Sequence, residues 1–343
     1  MGLNIKEIIP RKEIELKDLK GKTICVDAFN ILYQFLSSIR QRDGTPLMDS
    51  KQRVTSHLSG ILYRNVAMLS EGIRLVYVFD GKPPELKSKT AAKRRAGRKS
   101  AKEKYDKAKQ NENIAAMKRY SSQLLRLDDE MIKESKELLE ALGIMIVQAP
   151  SEGEAEAAHL CKKKEVFAAA SQDYDSLLFG APKLVRNLTL ARKRKTYHGY
   201  VEVKPELIEL EKVLNRLEIN LNQLICLGIL VGTDYNPKGI PGIGQKTALK
   251  LVQGYKKPVL IFKQVEDKIK ALPEEQKFDW KEIFELFHKH LVKDVDKIKF
   301  PKINEDKIRE ILVERHEFSE KRVEKQIKRL NKIKEAKKQT TLF

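Results

Sequence analysis

Thr23-Ile24-Cys25-Val26-Asp27 and Arg74-Leu75-Val76-Tyr77-Val78-Phe79-Asp80 are short apolar runs that each stop at an aspartate. Runs this short, rich in β-branched and aromatic residues, predict buried strands rather than helices. Helical periodicity is expected from Asn30 to Arg42 and from Arg53 to Ser70. The same reading predicts strands at Met145-Ile146-Val147 and at Val166-Phe167-Ala168-Ala169-Ala170, with helices from Asp128 to Leu142 and from Glu152 to Lys163. Strands separated by helices imply an α/β fold, a mostly parallel sheet flanked by helices on both faces.

In such a sheet, ligands bind beyond the carboxyl ends of the strands. Asp27 and Asp80 stand there, and Asp173 and Asp175 follow the Val166–Ala170 run. Spaced two apart on an extended segment, the last two would point the same way. Any one of these acids could be a helix cap or turn former. Three strands ending in the same chemistry are harder to attribute to capping. Ser151-Glu152-Gly153-Glu154-Ala155-Glu156 opens a helix, and Ser151-x-x-Glu154 has the form of a capping box. On a regular helix Glu152 and Glu156 share a face whereas Glu152 and Glu154 do not, so the residues alone leave the functional pair open. Asp234, in Leu230-Val231-Gly232-Thr233-Asp234-Tyr235, follows an apolar helix and could equally be a turn residue. Crowded carboxylates repel one another unless cations intervene, and hard Mg²⁺ or Mn²⁺ prefers oxygen ligands. Two such ions about 4 Å apart can activate water and stabilise the leaving oxygen of a phosphodiester.

The chain has 343 residues, 34% of them charged, with a formal net charge of +20. A balanced Lys/Glu surface of the thermophile type would leave no such excess, so the charge points to a polyanion such as nucleic acid. An acidic pocket inside a basic chain reads as a nuclease. Between Gly81 and about Ser122 basic residues crowd a stretch with few apolar ones, expected to form a helical insertion rather than a core. Gly239-Ile240-Pro241-Gly242-Ile243-Gly244-Gln245-Lys246-Thr247 is no P-loop, because Gly-Lys-Thr is not contiguous and no strand precedes it. It looks like a helix-hairpin-helix turn, whose glycines let a phosphate approach the backbone and a helix N-terminus. A long basic helical stretch is expected from Asn304 to Lys338. Cys25, Cys161 and Cys226 are separate and read as buried thiols, and His288-x-His290 as a solvated face. The N-terminus lacks the apolar core of a signal peptide and Lys6 disagrees with myristoylation, so an intracellular protein is expected.

Four stretches taken in order resemble the flap endonuclease family: Val78-Phe79-Asp80-Gly81-Lys82-Pro83-Pro84-Glu85-Leu86-Lys87, Ala149-Pro150-Ser151-Glu152-Gly153-Glu154-Ala155, Gly232-Thr233-Asp234-Tyr235, and Gly239-x-x-Gly242-Ile243-Gly244. The Lys/Glu/Ile-rich composition without a long basic tail is similar to archaeal members. The resemblance implies a twisted sheet with a helical arch, acting as a monomer in replication and repair to cut DNA bearing a 5′ flap, with 5′–3′ exonuclease activity. It implies a nuclease part at 1–81, the arch at 82–127, and further nuclease structure at 128–255 with the hairpin turn at about 225–255. A C-terminal helical region at 256–338 and a tail at 339–343 complete the organisation. By position it assigns two Mg²⁺ ions, replaceable by Mn²⁺, to Asp27, Asp80, Glu152, Glu154, Asp173, Asp175 and Asp234, thus favouring Glu154 over the same-face argument. Lys87 and Arg94 match residues that grip the scissile phosphate. Tyr33 matches an aromatic stacking on a base, Arg40 a nearby DNA contact, and Thr55 and Phe318 a pocket for a one-nucleotide 3′ flap. Gly242, Gly244 and Lys246 would meet duplex phosphates, with K⁺ bound at the turn. Gln339, Leu342 and Phe343 resemble the start of a motif for the sliding clamp (PCNA), lacking the second aromatic. Related bubble, gap or junction nucleases, and a non-catalytic DNA-binding module, are the competing readings; the last leaves the strand-end acids unexplained.

Overall fold

Asp27 closes the middle one of five parallel strands within a seven-stranded sheet. The computed structural model describes residues 3–41, 44–87, 97, 100–108, 110–111, 113–121, 124, 126–189, 193–196, 199–295 and 297–340, without the side chains of 114, 118, 193–196, 200 and 334–340. In chain order the strands are β1 (Lys12–Glu13), β2 (Thr23–Asp27), β3 (Arg74–Phe79), β4 (Met145–Gln148), β5 (Ala168–Ala170), β6 (Lys183–Arg186), β7 (Lys193–Thr196), β8 (Gly199–Glu202) and β9 (Glu206–Glu209). The sheet order is β1-β9-β6-β5-β2-β3-β4, with β7 and β8 forming a separate antiparallel pair. The β6-β5-β2-β3-β4 portion is parallel, while β9 and β1 run antiparallel at one edge.

The chain builds outward from β2 to β3 and β4, then returns to place β5 on the other side of β2. The strand order therefore reverses between β2 and β5, which opens a crevice beyond their carboxyl ends. Register holds those ends level: Val26 pairs with Ala170 and with Tyr77, and Asp27 with Val78.

Alternation along each strand sorts the core onto two faces. Cys25, Val76, Val78 and Ala169 enter one apolar cluster; Ile24, Val26, Leu75, Tyr77, Phe79, Ala168 and Ala170 enter the other. Helices cover both faces. Gly153–Lys162 and Leu221–Val231 lie against the first cluster, and Ala28–Ser38, Ser56–Ser70 and Asp129–Ala141 against the second. The Tyr77 hydroxyl finds its partner inside this layer, donating to Asn65 Oδ1 at 2.8 Å.

The closing stretch is helical as expected, in pieces: Glu305–Arg309 and a π-helical turn at Glu310–Arg315 precede Glu320–Thr340, and Glu317 between them has φ +58°. Two expectations change. His290 is half-buried, its ring edge-on to Phe179 at 5.2 Å, so it is not a solvated residue. The segment carrying Asp173 and Asp175 is a turn, not an extended strand, because Asp175 begins the short helix Asp175–Leu178. The three cysteines are buried and free, and burial pushes the Cys226 thiol up to about 12. Within the basic insertion, residues 100–108 and Ile114–Ser121 are helical. Among the described residues no helix is long and apolar enough to cross a membrane.

The helix Leu221–Val231 is followed by a tight turn into Gln245–Tyr255. Its closure depends on Gly239, at φ +55°, where a Cβ would fall 2.3 Å from Val231 O and 2.6 Å from Leu230 O. Gly239→Ala should therefore lose about 2–4 kcal/mol of stability, from backbone strain and displaced carbonyls. Urea unfolding measures this, and an unchanged midpoint would show that the turn is looser than described.

Candidate metal centre

Seven carboxylates from five separate stretches of chain converge beyond the reversal point. Asp27 lies at the end of β2, where its Oδ1 also accepts from Asn30 N at 3.1 Å and caps the following helix. Capping and site placement are thus not alternatives for this residue. Asp80 follows β3 and accepts from Gly153 N at 2.7 Å. That glycine permits the contact, since a Cβ at 153 would lie 2.7 Å from Asp80 Oδ1.

The capping box expected at Ser151 does not form. Ser151 donates its hydroxyl to Lys82 O at 3.2 Å, and Glu152, not Ser151, is the N-cap residue. Glu154 is left to face the crevice, where Ser171 Oγ donates to it at 3.2 Å. Because Glu152 stands before the regular helix, the same-face argument linking it to Glu156 does not apply. Glu156 is fully buried on another side, accepting from Lys293 N at 2.9 Å.

Asp173 and Asp175 reach the crevice through the turn. Asn30 Nδ2 donates to Asp173 Oδ2 at 2.8 Å, and Leu3 N donates to Asp175 Oδ1 at 3.3 Å. Asp234 lies 3.4 Å from Lys87 Nζ, and Lys87 also contacts Glu152 Oε1. Tyr235, unassigned from the sequence, donates its hydroxyl to Glu152 Oε2. Asn30, Ser171 and Tyr235 are hydrogen-bond partners of the acids that spacing could not reveal, because their partners lie 143, 17 and 83 positions away.

The acids feel one another. Burial and then Asp80 push Asp27 up to about 8; burial and then Asp234 and Asp173 push Asp175 up to about 7. Burial, followed by Asp175, Asp27 and Asp173, raises Glu154 well above the carboxylate range. Burial also raises Asp80, against the bond from Gly153 and the charge of Lys87. Among the described residues no three His, Cys, Asp or Glu side chains already stand as a ready-made chelate. The donor set nevertheless fits hard divalent cations: it is all carboxylate oxygen, with Asp27, Glu152 and Asp175 buried and the others lining the same crevice.

The remaining expected residues lie around this centre or beyond it. Tyr33 is an exposed aromatic, at 40%. Arg40 is half-buried and engaged, its Nη1 donating to Gly44 O and Ser121 Oγ, both at 2.8 Å. Thr55 is buried and precedes the helix Ser56–Ser70, and Phe318 packs partly buried on the second core cluster. Gly244 is the N-cap residue of Gln245–Tyr255 with no side-chain cap bond, Gly242 has φ +76°, and Lys246 is exposed, 3.8 Å from Glu7. Gln339 falls in the last helix, while Arg94, Leu342 and Phe343 lie outside the described residues.

A sheet with an acid centre at its reversal point, inside a strongly basic chain, points to a nuclease class, and sequence comparisons narrow it. The XPG N-terminal domain matches residues 3–101 and the XPG I-region residues 143–234, so these structure-specific 5′ nuclease domains span more than half the chain. Flap endonuclease 1 of Pyrococcus furiosus is 51% identical over 344 aligned residues, covering 100% of this chain and 98% of the relative. Flap endonuclease-1 of Methanococcus jannaschii superposes with a TM-score of 0.74 at 38% identity, covering 98% of this chain and all of that one. The catalytic core of Rad2, solved with a DNA substrate, shares the fold at a TM-score of 0.70 and 22% identity, over 96% of this chain and 100% of that core.

The chain belongs to the flap endonuclease family. It is a metal-dependent, structure-specific 5′ nuclease acting on DNA.

The raised carboxyl groups fix the sign of a pH effect. A carboxyl with a folded pKa above its unfolded value near 3.8 favours the fold while protonated, and that contribution is lost as pH rises towards about 8 for Asp27 and about 7 for Asp175. With EDTA present, this contribution to the melting temperature should fall between about pH 5 and pH 8. Mg²⁺ should stabilise more at the upper end than at the lower. Calorimetry checks this, and an equal Mg²⁺ increment at both pH values would disconnect the raised carboxyls from metal binding.

Proposed function

We propose that this chain hydrolyses the phosphodiester at the base of a 5′ DNA flap, in replication (Okazaki fragment processing) and repair, with accompanying 5′–3′ exonuclease activity. The observation that carries this is the convergence of Asp27, Asp80, Glu152, Glu154, Asp173, Asp175 and Asp234 at one crevice of a chain with net charge +20. These seven would hold two divalent cations, Mg²⁺ or in its place Mn²⁺, which supply the Lewis acidity that activates water and relieves charge on a departing oxygen.

The protein's own groups do the positioning. Asn30, Ser171, Gly153 N–H and the Tyr235 hydroxyl fix the orientation of Asp173, Glu154, Asp80 and Glu152. The Lys87 ammonium, with Arg94, grips the scissile phosphate and stabilises charge gained in the transition state. Tyr33 stacks on a base and Arg40 supplies a neighbouring DNA contact. Thr55 and Phe318 line a site for a single 3′ nucleotide. The turn through Gly242 and Gly244 offers the free N–H groups of Gln245–Tyr255, together with Lys246, to duplex phosphates, and binds K⁺ through backbone oxygens. The insertion at 82–127 arches over a single strand threaded from its 5′ end. The chain works as a monomer and meets a sliding clamp through Gln339, Leu342 and Phe343.

Incubating the protein with an end-labelled 5′-flap duplex, with and without Mg²⁺, tests the reading; cleavage confined to the Mg²⁺ arm is expected. Asp80→Asn and Asp175→Asn should abolish cleavage and leave DNA affinity nearly unchanged. Glu156→Gln should stay active, since the amide oxygen still accepts from Lys293 N. A dead Glu156→Gln beside an active Glu154→Gln would reverse the assignment. Lys87→Ala and Arg94→Ala should each slow the single-turnover step by about 10²–10³. A change in affinity alone would leave these residues only a steering role.

A further inference from the structure

Lys87 does not point at solvent in wait for a phosphate. It ends the short 3₁₀ turn Glu85–Lys87, at the start of the basic insertion, and its ammonium lies inside the acid centre. Nζ contacts Glu152 Oε1, lies 3.4 Å from Asp234 Oδ2, and sits over the Tyr235 ring at 5.5 Å from the centroid. The other oxygen of Glu152 accepts from the Tyr235 hydroxyl, so groups of the chain itself engage both oxygens of this carboxylate. The positive charge is also felt by Asp27, Asp80, Glu154 and Asp175, which burial pushes up and Lys87 pulls down.

We propose that Lys87 is an internal counter-cation that competes with divalent metal for Glu152 and Asp234, so that filling this part of the centre is coupled to the arrival of a DNA phosphate. The inference rests on the reading of these acids as metal ligands. A lysine ammonium is a compact charge on a flexible four-carbon stem, and this side chain is 24% exposed, so a phosphate can reach it. A divalent ion cannot share the two carboxylates with an ammonium already in contact with one of them, because like charges at that range repel strongly. A phosphate that draws the ammonium outward removes its positive charge from Glu152 and Asp234. By linkage, metal at those carboxylates frees Lys87 for the phosphate to the same degree. The free protein would thus hold its second ion weakly, and the correct substrate would complete the centre.

Calorimetric titration of the whole protein with Mg²⁺, in the absence of DNA, tests this directly. Lys87→Met, which keeps the chain length and loses the charge, should bind Mg²⁺ about tenfold more tightly than wild type. Lys82→Met removes one equal charge outside the centre and should match wild type. Lys87→Arg, which retains the charge, should show no gain. Should Lys87→Met fail to fold, Lys87→Gln, which keeps a donor for Glu152, makes the same comparison. Mg²⁺ binding to wild type and Lys87→Met with equal affinity would overturn the competition and leave the metal centre standing. An absence of Mg²⁺ uptake by every variant would overturn the metal centre itself, and the competition with it.

Discussion

Like charges confined together in a partly buried crevice are the constraint on which this structure depends. Seven carboxylates meet where the strand order reverses between β2 and β5, and burial alone would neutralise several of them. Such a site costs stability unless cations offset it. The fold meets this cost locally, with the ammonium of Lys87 on Glu152 and Asp234 and with donors from Gly153, Asn30 and Ser171 on Asp80, Asp173 and Glu154. In the proposed reading, the repulsion that remains drives the uptake of divalent metal.

The rest of the chain reads as the means of bringing a polyanion to that centre. The chain carries a net charge of +20, and an excess of that size attracts a DNA backbone from a distance. In the proposed reading the turn before Gln245–Tyr255 offers its backbone N–H groups to phosphate, a contact that would carry no sequence information. Recognition of shape with metal-assisted chemistry suits a nuclease that must act at any sequence where a flap arises. Lys87 joins the two halves of this design, since it belongs to the basic insertion by sequence and to the acid centre by position.

Much of the fold was legible because its central strands are buried on both faces. Thr23–Asp27 and Arg74–Phe79 stand out as apolar runs, and the aspartates that end them mark the site. The strands β6, β7 and β9 were not legible. Lys183–Arg186 and Glu206–Glu209 each hold only two apolar residues between charged ones, and Lys193–Thr196 is mostly basic, so none departs from the pattern of an ordinary surface segment. Within the site, residues that end strands could be found, whereas those that orient them could not. Tyr235 acts on Glu152 from 83 positions away, and Asn30 on Asp173 from 143. Periodicity also misled twice: Glu152 precedes its helix, and Asp173 lies in a bend before the helix that Asp175 opens. In both places the geometry of a tertiary site overrode the regular repeat that local spacing presumes.

The most direct measurement is anomalous scattering from crystals of the whole chain with flap DNA and Mn²⁺. Two Mn²⁺ peaks among Asp27, Asp80, Glu152, Glu154, Asp173, Asp175 and Asp234, with the Lys87 ammonium moved from Glu152 to a phosphate, are the predicted result. Manganese bound elsewhere, or a crevice with Lys87 still on Glu152 and no metal beside it, would contradict the assignment of these acids as the catalytic metal centre.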